Sequence, residues 1–215
     1  RADEIAAARA AASRALELDP ALADAHAIVA WIAFFYDWNW DEAERGFRRA
    51  LAINPNSAMA AHRYSLLLMS TRRFDEALRF SSQAVGLDPL SALVASNRAM
   101  VLLCARRYDE AIAQAREALE LAPGGFTTHV YIGSSYAQQG RYDEAVAAYR
   151  AALLAEPGDP DAAASLGRAL ALAGRRAEAL AVLEDLRDPA RANPPSRYQL
   201  AFLLAALGDR DAAFE

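Results

Sequence analysis

Residues 126–157, FTTHVYIGSSYAQQGRYDEAVAAYRAALLAEP, decide the fold. Ile132, Tyr136 and Ala137 recur at helical spacing, and Gly140 then supplies a C-cap. A second helix opens on Asp143 and Glu144, two carboxylates suited to the positive end of a helix dipole. It continues through Ala145, Tyr149, Ala152 and Leu153, and Pro157 prevents its extension. Asp159-Pro160 starts the next helix, as an N-cap followed by proline at the first helical position. The stretch predicts two helices joined by a turn, and no run in the chain shows the strict alternation of a half-buried strand.

The same unit recurs in both directions. Pro20, Pro55, Pro89, Pro123 and Pro157 fall at intervals of 35, 34, 34 and 34, and Pro189 follows at 32. They end the phrases RALELDP, RALAINP, QAVGLDP, EALELAP and AALLAEP. WDEAERGF, FDEALRFS, YDEAIAQA and YDEAVAAY repeat in phase with them. Small residues hold fixed positions: Ala30, Ser65, Ala99, Gly133, Gly167 and Ala201 in first helices, then Ala43, Ala77, Ala111, Ala145, Ala179 and Ala213 in second ones. Ala50, Ala84, Ala118 and Ala152 share a third position. Helices that cross at about 8–10 Å require short side chains there. The pairs Arg72–Arg73 and Arg106–Arg107 are read as complements to the negative ends of first helices.

These residues resemble the tetratricopeptide repeat (TPR), a 34-residue helix–turn–helix unit. The resemblance implies an all-α, right-handed superhelical solenoid with first helices lining a concave groove. The expected units are 21–56, 57–90, 91–124, 125–158 and 159–190, with a partial unit at 3–20 and a truncated one at 195–215. The first carries an extra residue in its turn, Asp37 to Trp40. The fifth has Leu186 where alanine is expected, then a proline-rich connection through Pro189, Pro194 and Pro195, which predicts a looser or shifted crossing. The phrase FFYDWNWDEAERGFRRALAINP is similar to arrays attached to bacterial winged-helix regulators, adenylate cyclases or Ser/Thr kinases. The chain is therefore expected to be a piece of a larger bacterial protein. Both ends fall inside a unit, so Ile5, Leu16, Leu18, Phe202, Leu203 and Phe214 are expected to be exposed, with self-association through those ends as one outcome.

Composition excludes several functions. The 215 residues are 54 % hydrophobic and 24 % charged, which places the chain among globular proteins. All 23 basic residues are arginine. Without a lysine the chain holds no phosphate-loop lysine, no Schiff-base lysine and no kinase strand lysine. A net charge of −5 gives no electrostatic footprint for nucleic acid. One cysteine, Cys104, permits neither an internal disulfide nor a cysteine-based zinc site. The longest apolar stretch, Ala27 to Tyr36, is too short to span a bilayer, so no membrane role is expected and a cytoplasmic location is.

No catalytic constellation emerges. His26, His62 and His129 lack a ligand-spaced partner on their own helices, which argues against metal. His26 and His129 occupy a packing position, whereas His62 is one residue further round and faces the groove. Cys104 reads as a core or wall thiol, since no histidine is near it in sequence. Asp75–Glu76, Asp109–Glu110 and Asp143–Glu144 recur at one helix start and so serve dipole and capping, not acid–base chemistry. Gly124-Gly125 is an inter-unit turn with no strand before it. The chain is expected to be no enzyme and to need no cofactor or metal.

The groove remains. Its expected lining is Trp31, Met59, His62, Arg63, Leu66, Asn97, Met100, Tyr131 and Arg168, a mixture typical of interaction surfaces. Ala27, Phe34 and Ser96 are placed on the same face. Arg63 and Asn97 occupy equivalent positions in consecutive units, where an extended peptide could meet both. The resemblance also implies a test against the family's carboxylate clamp. The absence of lysine and the apolar residues at the remaining clamp positions argue against a chaperone-tail ligand. The expected function is a non-catalytic protein–protein interaction module holding a protein or peptide segment. The alternative is a structural, self-associating scaffold that spaces or regulates an attached effector domain.

Overall fold

Thirteen helices account for the described residues, 2–188 and 193–213 of the computed structural model, and no strand occurs among them. They fall into two compact units that meet in sequence at Ala105 and Arg106. The N-terminal unit holds α1 (Ala2–Leu18), α2 (Ala23–Phe35), α3 (Trp40–Ile53), α4 (Ala58–Ser70), α5 (Phe74–Leu87) and α6 (Ala92–Cys104). The C-terminal unit holds α7 (Tyr108–Leu121), α8 (Phe126–Gln138), α9 (Tyr142–Ala155), α10 (Pro160–Leu172), α11 (Arg176–Leu186), α12 (Arg197–Leu207) and α13 (Arg210–Ala213). In each unit consecutive helices pack as antiparallel pairs, α2 on α3, α4 on α5, α8 on α9 and α10 on α11. First helices also lie beside first helices: α2 against α4, α4 against α6, and α10 against α12.

The repeat is written into the backbone. Trp38, Arg72, Arg106, Gly140, Gly174 and Gly208 all have positive φ, between 57° and 87°, and each follows the last by 34 residues. This left-handed residue ends each first helix, as Gly140 was expected to do. The turn between α2 and α3 has four residues, 36–39, whereas those at 71–73, 139–141 and 173–175 have three. The extra residue of the first unit is where the sequence put it.

First and second helices begin differently. Ser57, Ser91, Asp159 and Ser196 each accept a backbone N–H from three residues on, so α4, α6, α10 and α12 carry side-chain caps. At the heads of α5, α7, α9 and α11 the N-cap residue is arginine, and its guanidinium donates to a glutamate three residues later: Arg73 to Glu76, Arg107 to Glu110, Arg141 to Glu144, Arg175 to Glu178. The guanidinium groups of Arg73 and Arg107, read from the sequence as complements to the end of the helix before, thus pair with the first turn of the helix that follows. The residue 34 positions earlier, Asn39, is a true cap that accepts from the Glu42 amide and donates to the Glu42 carboxylate.

The crossings are as close as the small residues require. Ala43, Ala77, Ala111, Ala145 and Ala179 are essentially without solvent contact, and so are Ala50, Ala84, Ala118 and Ala152. A β-carbon placed on Gly46 would lie 2.8 Å from that of Ala30, and one on Gly133 would lie 2.8 Å from the Tyr149 ring. Beside these crossings Phe47, Tyr64 and Phe80 form a continuous aromatic core, with ring centroids 5.9 and 4.7 Å apart. Leu186 is buried, and a β-carbon on Gly167 would meet Val182 of α11 and Leu203 of α12 at 3.0 Å. Leu203 is thus core, while Leu18 and Phe202 are exposed and Ile5 and Leu16 are half-buried. Pro189 and Phe214 lie outside the described residues.

Candidate partner-binding face

In the N-terminal unit α2, α4 and α6 bring Trp31, Met59, Arg63, Leu66, Asn97 and Met100 onto neighbouring helices. Met59 is exposed; Trp31, Arg63, Leu66, Asn97 and Met100 are half-buried. His62, expected on this face, is 6 % exposed. Ala27 and Ser96, two further groove candidates, are buried as well. Tyr131 of α8 and Arg168 of α10 hold the corresponding positions in the C-terminal unit, both half-buried.

His62 is held from its neighbour. The Asn97 side-chain nitrogen is 3.0 Å from His62 Nε2. With that amide donating, Nε2 accepts and Nδ1 carries the ring proton, and Nδ1 meets no hydrogen-bond partner. Burial, and secondarily the charge of Arg63, push the imidazole pKa down to about 4, so the ring is neutral at pH 7. Asn97 is therefore not the free partner of Arg63 that the equivalence of their positions suggested.

Arg63 lies with its guanidinium 5.2 Å from the Trp31 ring centre. Burial lowers its pKa against the opposing pull of Asp24. Among the described residues no hydrogen bond or ion pair is made to its fork, so its donors stand unused. On Trp31's other neighbour, Phe35, the rings stack at 5.2 Å and 20°. Phe34 and Tyr36 extend the cluster edge-on. Phe35, Tyr36, Trp38 and Trp40 are all exposed. In the sequence this stretch carries the family resemblance and an extra turn residue, and no binding role was expected of Phe35, Tyr36, Trp38 or Trp40. Its signal was the aromatic density, five aromatic side chains in the seven residues FFYDWNW, at a turn where later units place arginine or glycine.

In the C-terminal unit Arg168 covers Phe202 at 5.1 Å, and Tyr198 meets Phe202 edge-on at 4.5 Å. The hydroxyls of Ser134 and Tyr149 are 3.1 Å apart, and burial raises the Tyr149 pKa.

The groups set aside in the sequence occupy ordinary places. His26 Nε2 lies 3.0 Å from the Pro20 carbonyl oxygen, and His129 is half-buried. Cys104 is exposed at the last turn of α6 and is not a core thiol. Among the described residues no group of three or more His, Cys, Asp and Glu side chains is placed to hold a metal ion. None of their helices is long and apolar enough to cross a membrane.

Paired helices of this length, repeating every 34 residues with small residues at each crossing, define a helical-repeat interaction protein. Tetratricopeptide repeat models match residues 65–126 and 136–195, together more than half of the sequence. The chain belongs to the tetratricopeptide repeat family, and its repeats mark it as a protein–protein interaction module. A tetratricopeptide repeat protein from Parabacteroides merdae superposes with a TM-score of 0.78 at 15 % identity, over 98 % of this chain and 83 % of that one. PilW, a widely conserved type IV pilus biogenesis factor, gives 0.75 at 24 % identity, over 89 % of each. YrrB, described as a TPR protein with an unusual peptide-binding site, gives 0.64 at 19 % identity, over 95 % of this chain and 96 % of that one. At these identities the likeness is one of fold. No curated protein matched the chain.

Proposed function

We propose that the chain is a non-catalytic module that holds an extended segment of a partner protein along its first helices, in the concave groove the resemblance implies. Trp31, Met59, Arg63, Leu66 and Met100 of the N-terminal unit make the contacts, with Tyr131 and Arg168 as their counterparts in the C-terminal unit. His62 and Asn97 act from behind, by fixing α4 against α6. One observation carries the reading: Arg63 is half-buried over Trp31, and its fork makes no hydrogen bond among the described residues. A desolvated guanidinium gains most from a carboxylate or carbonyl brought by a ligand, and it is rigid enough to select for one. Exposed Met59 supplies adaptable apolar contact beside it.

The test is calorimetric titration of the folded chain with partner proteins captured from the source cell. Arg63→Ala should weaken binding by about 2 kcal/mol or more if Arg63 is a buried anchor. Unchanged affinity in Arg63→Ala and in Met59→Ala would move the partner off this face. A mass that rises with concentration, with no partner captured, would favour the self-associating scaffold.

A further inference from the structure

We propose that the aromatic elbow formed by the end of α2 and the turn after it is a second docking site, for an arginine-bearing segment of a partner protein. It goes beyond the first-helix face and shares only Trp31 with it. Phe35, Tyr36, Trp38 and Trp40 are exposed, Trp38 by 75 %. Trp38 also stands at φ 57°, in the left-handed region where its β-carbon is strained. The equivalent residues 140, 174 and 208 are glycine, which adopts that conformation freely, and 72 and 106 are arginine, so Trp38 is the one aromatic side chain of the six. The indole fills no core, so packing does not account for the bulkiest side chain of the six; contact with a partner does.

The chain itself indicates what its aromatic faces take. Arg63 covers Trp31, Arg79 covers Phe80, Arg141 covers Tyr136 and Arg168 covers Phe202, at 4.4–5.2 Å. Among the described residues no cation covers Phe35, Tyr36, Trp38 or Trp40. Arg63 lies 5.2 Å from the Trp31 ring centre, and the Phe35 ring stacks on Trp31 at the same distance. A second guanidinium over the exposed Phe35 ring would add a like contact.

Charge agrees. Between Tyr36 and Arg45 the sequence carries Asp37, Asp41, Glu42 and Glu44 and no basic residue. Asp37 pairs with Arg9, Glu42 with Asn39, and Glu44 with Arg48 and Arg73. Asp41 is exposed and makes no ion pair among the described residues. A planar cation stacks on aromatic rings and is attracted by a nearby carboxylate, whereas an anionic lipid surface would be repelled by it.

The probe is a peptide of alternating arginine and leucine, eight residues long, titrated calorimetrically into the whole chain at physiological salt. Its counterpart has citrulline for arginine, which keeps the shape and removes the charge. Trp38→Gly is the decisive variant, because glycine suits the backbone there and the fold is retained. We expect both the citrulline peptide and Trp38→Gly to weaken binding about tenfold or more, and Met59→Ala to leave it unchanged. Equal binding of the two peptides, or no loss in Trp38→Gly, overturns the proposal. So does binding of phosphatidylserine vesicles, or a dimer abolished by Trp38→Gly, without binding of the arginine peptide. Failure here leaves the Arg63 test of the first-helix face intact, and the reverse holds too.

Discussion

The side-chain nitrogen of Asn97 stands 3.0 Å from Nε2 of His62 and so ties α6 to α4 through two residues 35 apart in sequence. The bond fixes the imidazole inside the N-terminal unit as a neutral ring with one nitrogen satisfied and the other not. Two of the polar groups on the expected groove are thereby spent on each other.

A pH dependence follows from that ring. The folded chain keeps His62 neutral down to about pH 4, whereas the unfolded chain protonates an ordinary histidine near 6.5. Between those values the unfolded state binds more protons, so stability is full above 6.5 and is lost as pH falls toward 4, by up to about 3 kcal/mol. Urea midpoints measured at pH 7.5 and pH 4.5 should show the loss. In His62→Phe the fall over that window should be smaller; an equal fall would mean that another group titrates.

Asn97→Ala removes the donor and leaves Nε2 buried without a partner as well. The expected loss is about 1–3 kcal/mol, read from the denaturation midpoint at pH 7. A neutral outcome would show that water reaches the ring.

Gly133→Ala tests the closest crossing in the C-terminal unit. The new methyl would sit 2.8 Å from Tyr149, whose ring is buried and whose hydroxyl is 3.1 Å from that of Ser134. Overpacking there should cost about 1–3 kcal/mol, measurable as a lower melting temperature. Gly86→Ala, where nothing lies within 4 Å of the added carbon, should instead raise stability by a few tenths of a kcal/mol to about 1 kcal/mol through helix propensity.

Arg72→Gly should stabilise. Arg72 is exposed at φ 62°, and relief of its left-handed backbone is worth about 1 kcal/mol, offset in part by glycine's greater freedom when unfolded. A thermal midpoint below that of the parent would contradict it.

The four N-cap arginines should not be equal. Arg73 bridges Glu44 and Glu76, with Nη1 donating to both Glu44 oxygens at 2.7 and 2.8 Å. Burial pushes the Glu44 carboxyl up, but hydrogen bonds from Arg73 and Tyr64 outweigh it and hold its pKa below the usual range. Arg73→Ala should cost about 1 kcal/mol, the upper part of the range for ion pairs near the surface. Arg141→Ala, which breaks an exposed pair, should cost distinctly less, and the difference should shrink in high salt.

Much of this fold could be read from residues whose backbone role is unambiguous. Gly140 ends a helix, Asp159-Pro160 begins one, and the alanines at 43, 77, 111, 145 and 179 mark crossings, because few other residues do those jobs. Arg73 was harder: at a three-residue turn its long side chain can reach either helix, and only the location of Glu76 decides. His62 was misjudged by register, since one residue turns a helix by 100° and the buried stripe of α4 is broad. Its partner, Asn97, carries no mark in the sequence that pairs it with a histidine on another helix. Cys104 sits among leucines in the sequence yet ends its helix exposed, on the solvent side of a last turn whose Val101 and Leu102 are buried.

The four-residue turn at 36–39 shows where this kind of chain absorbs a change of length. An added residue inside a helix would rotate everything beyond it by 100° and carry small residues off their crossings. At the elbow the slip is confined: Trp38 keeps its 34-residue phase with all the later left-handed residues, and only α2 and what precedes it are displaced along the sequence. The elbow behaves as a dislocation does in a crystal, a line defect beside which the lattice resumes its spacing. Insertions, grafted loops or tags at residues 36–39 therefore leave the phase of the downstream repeats unchanged, and the same insertion within Ala43 to Ala50 would not.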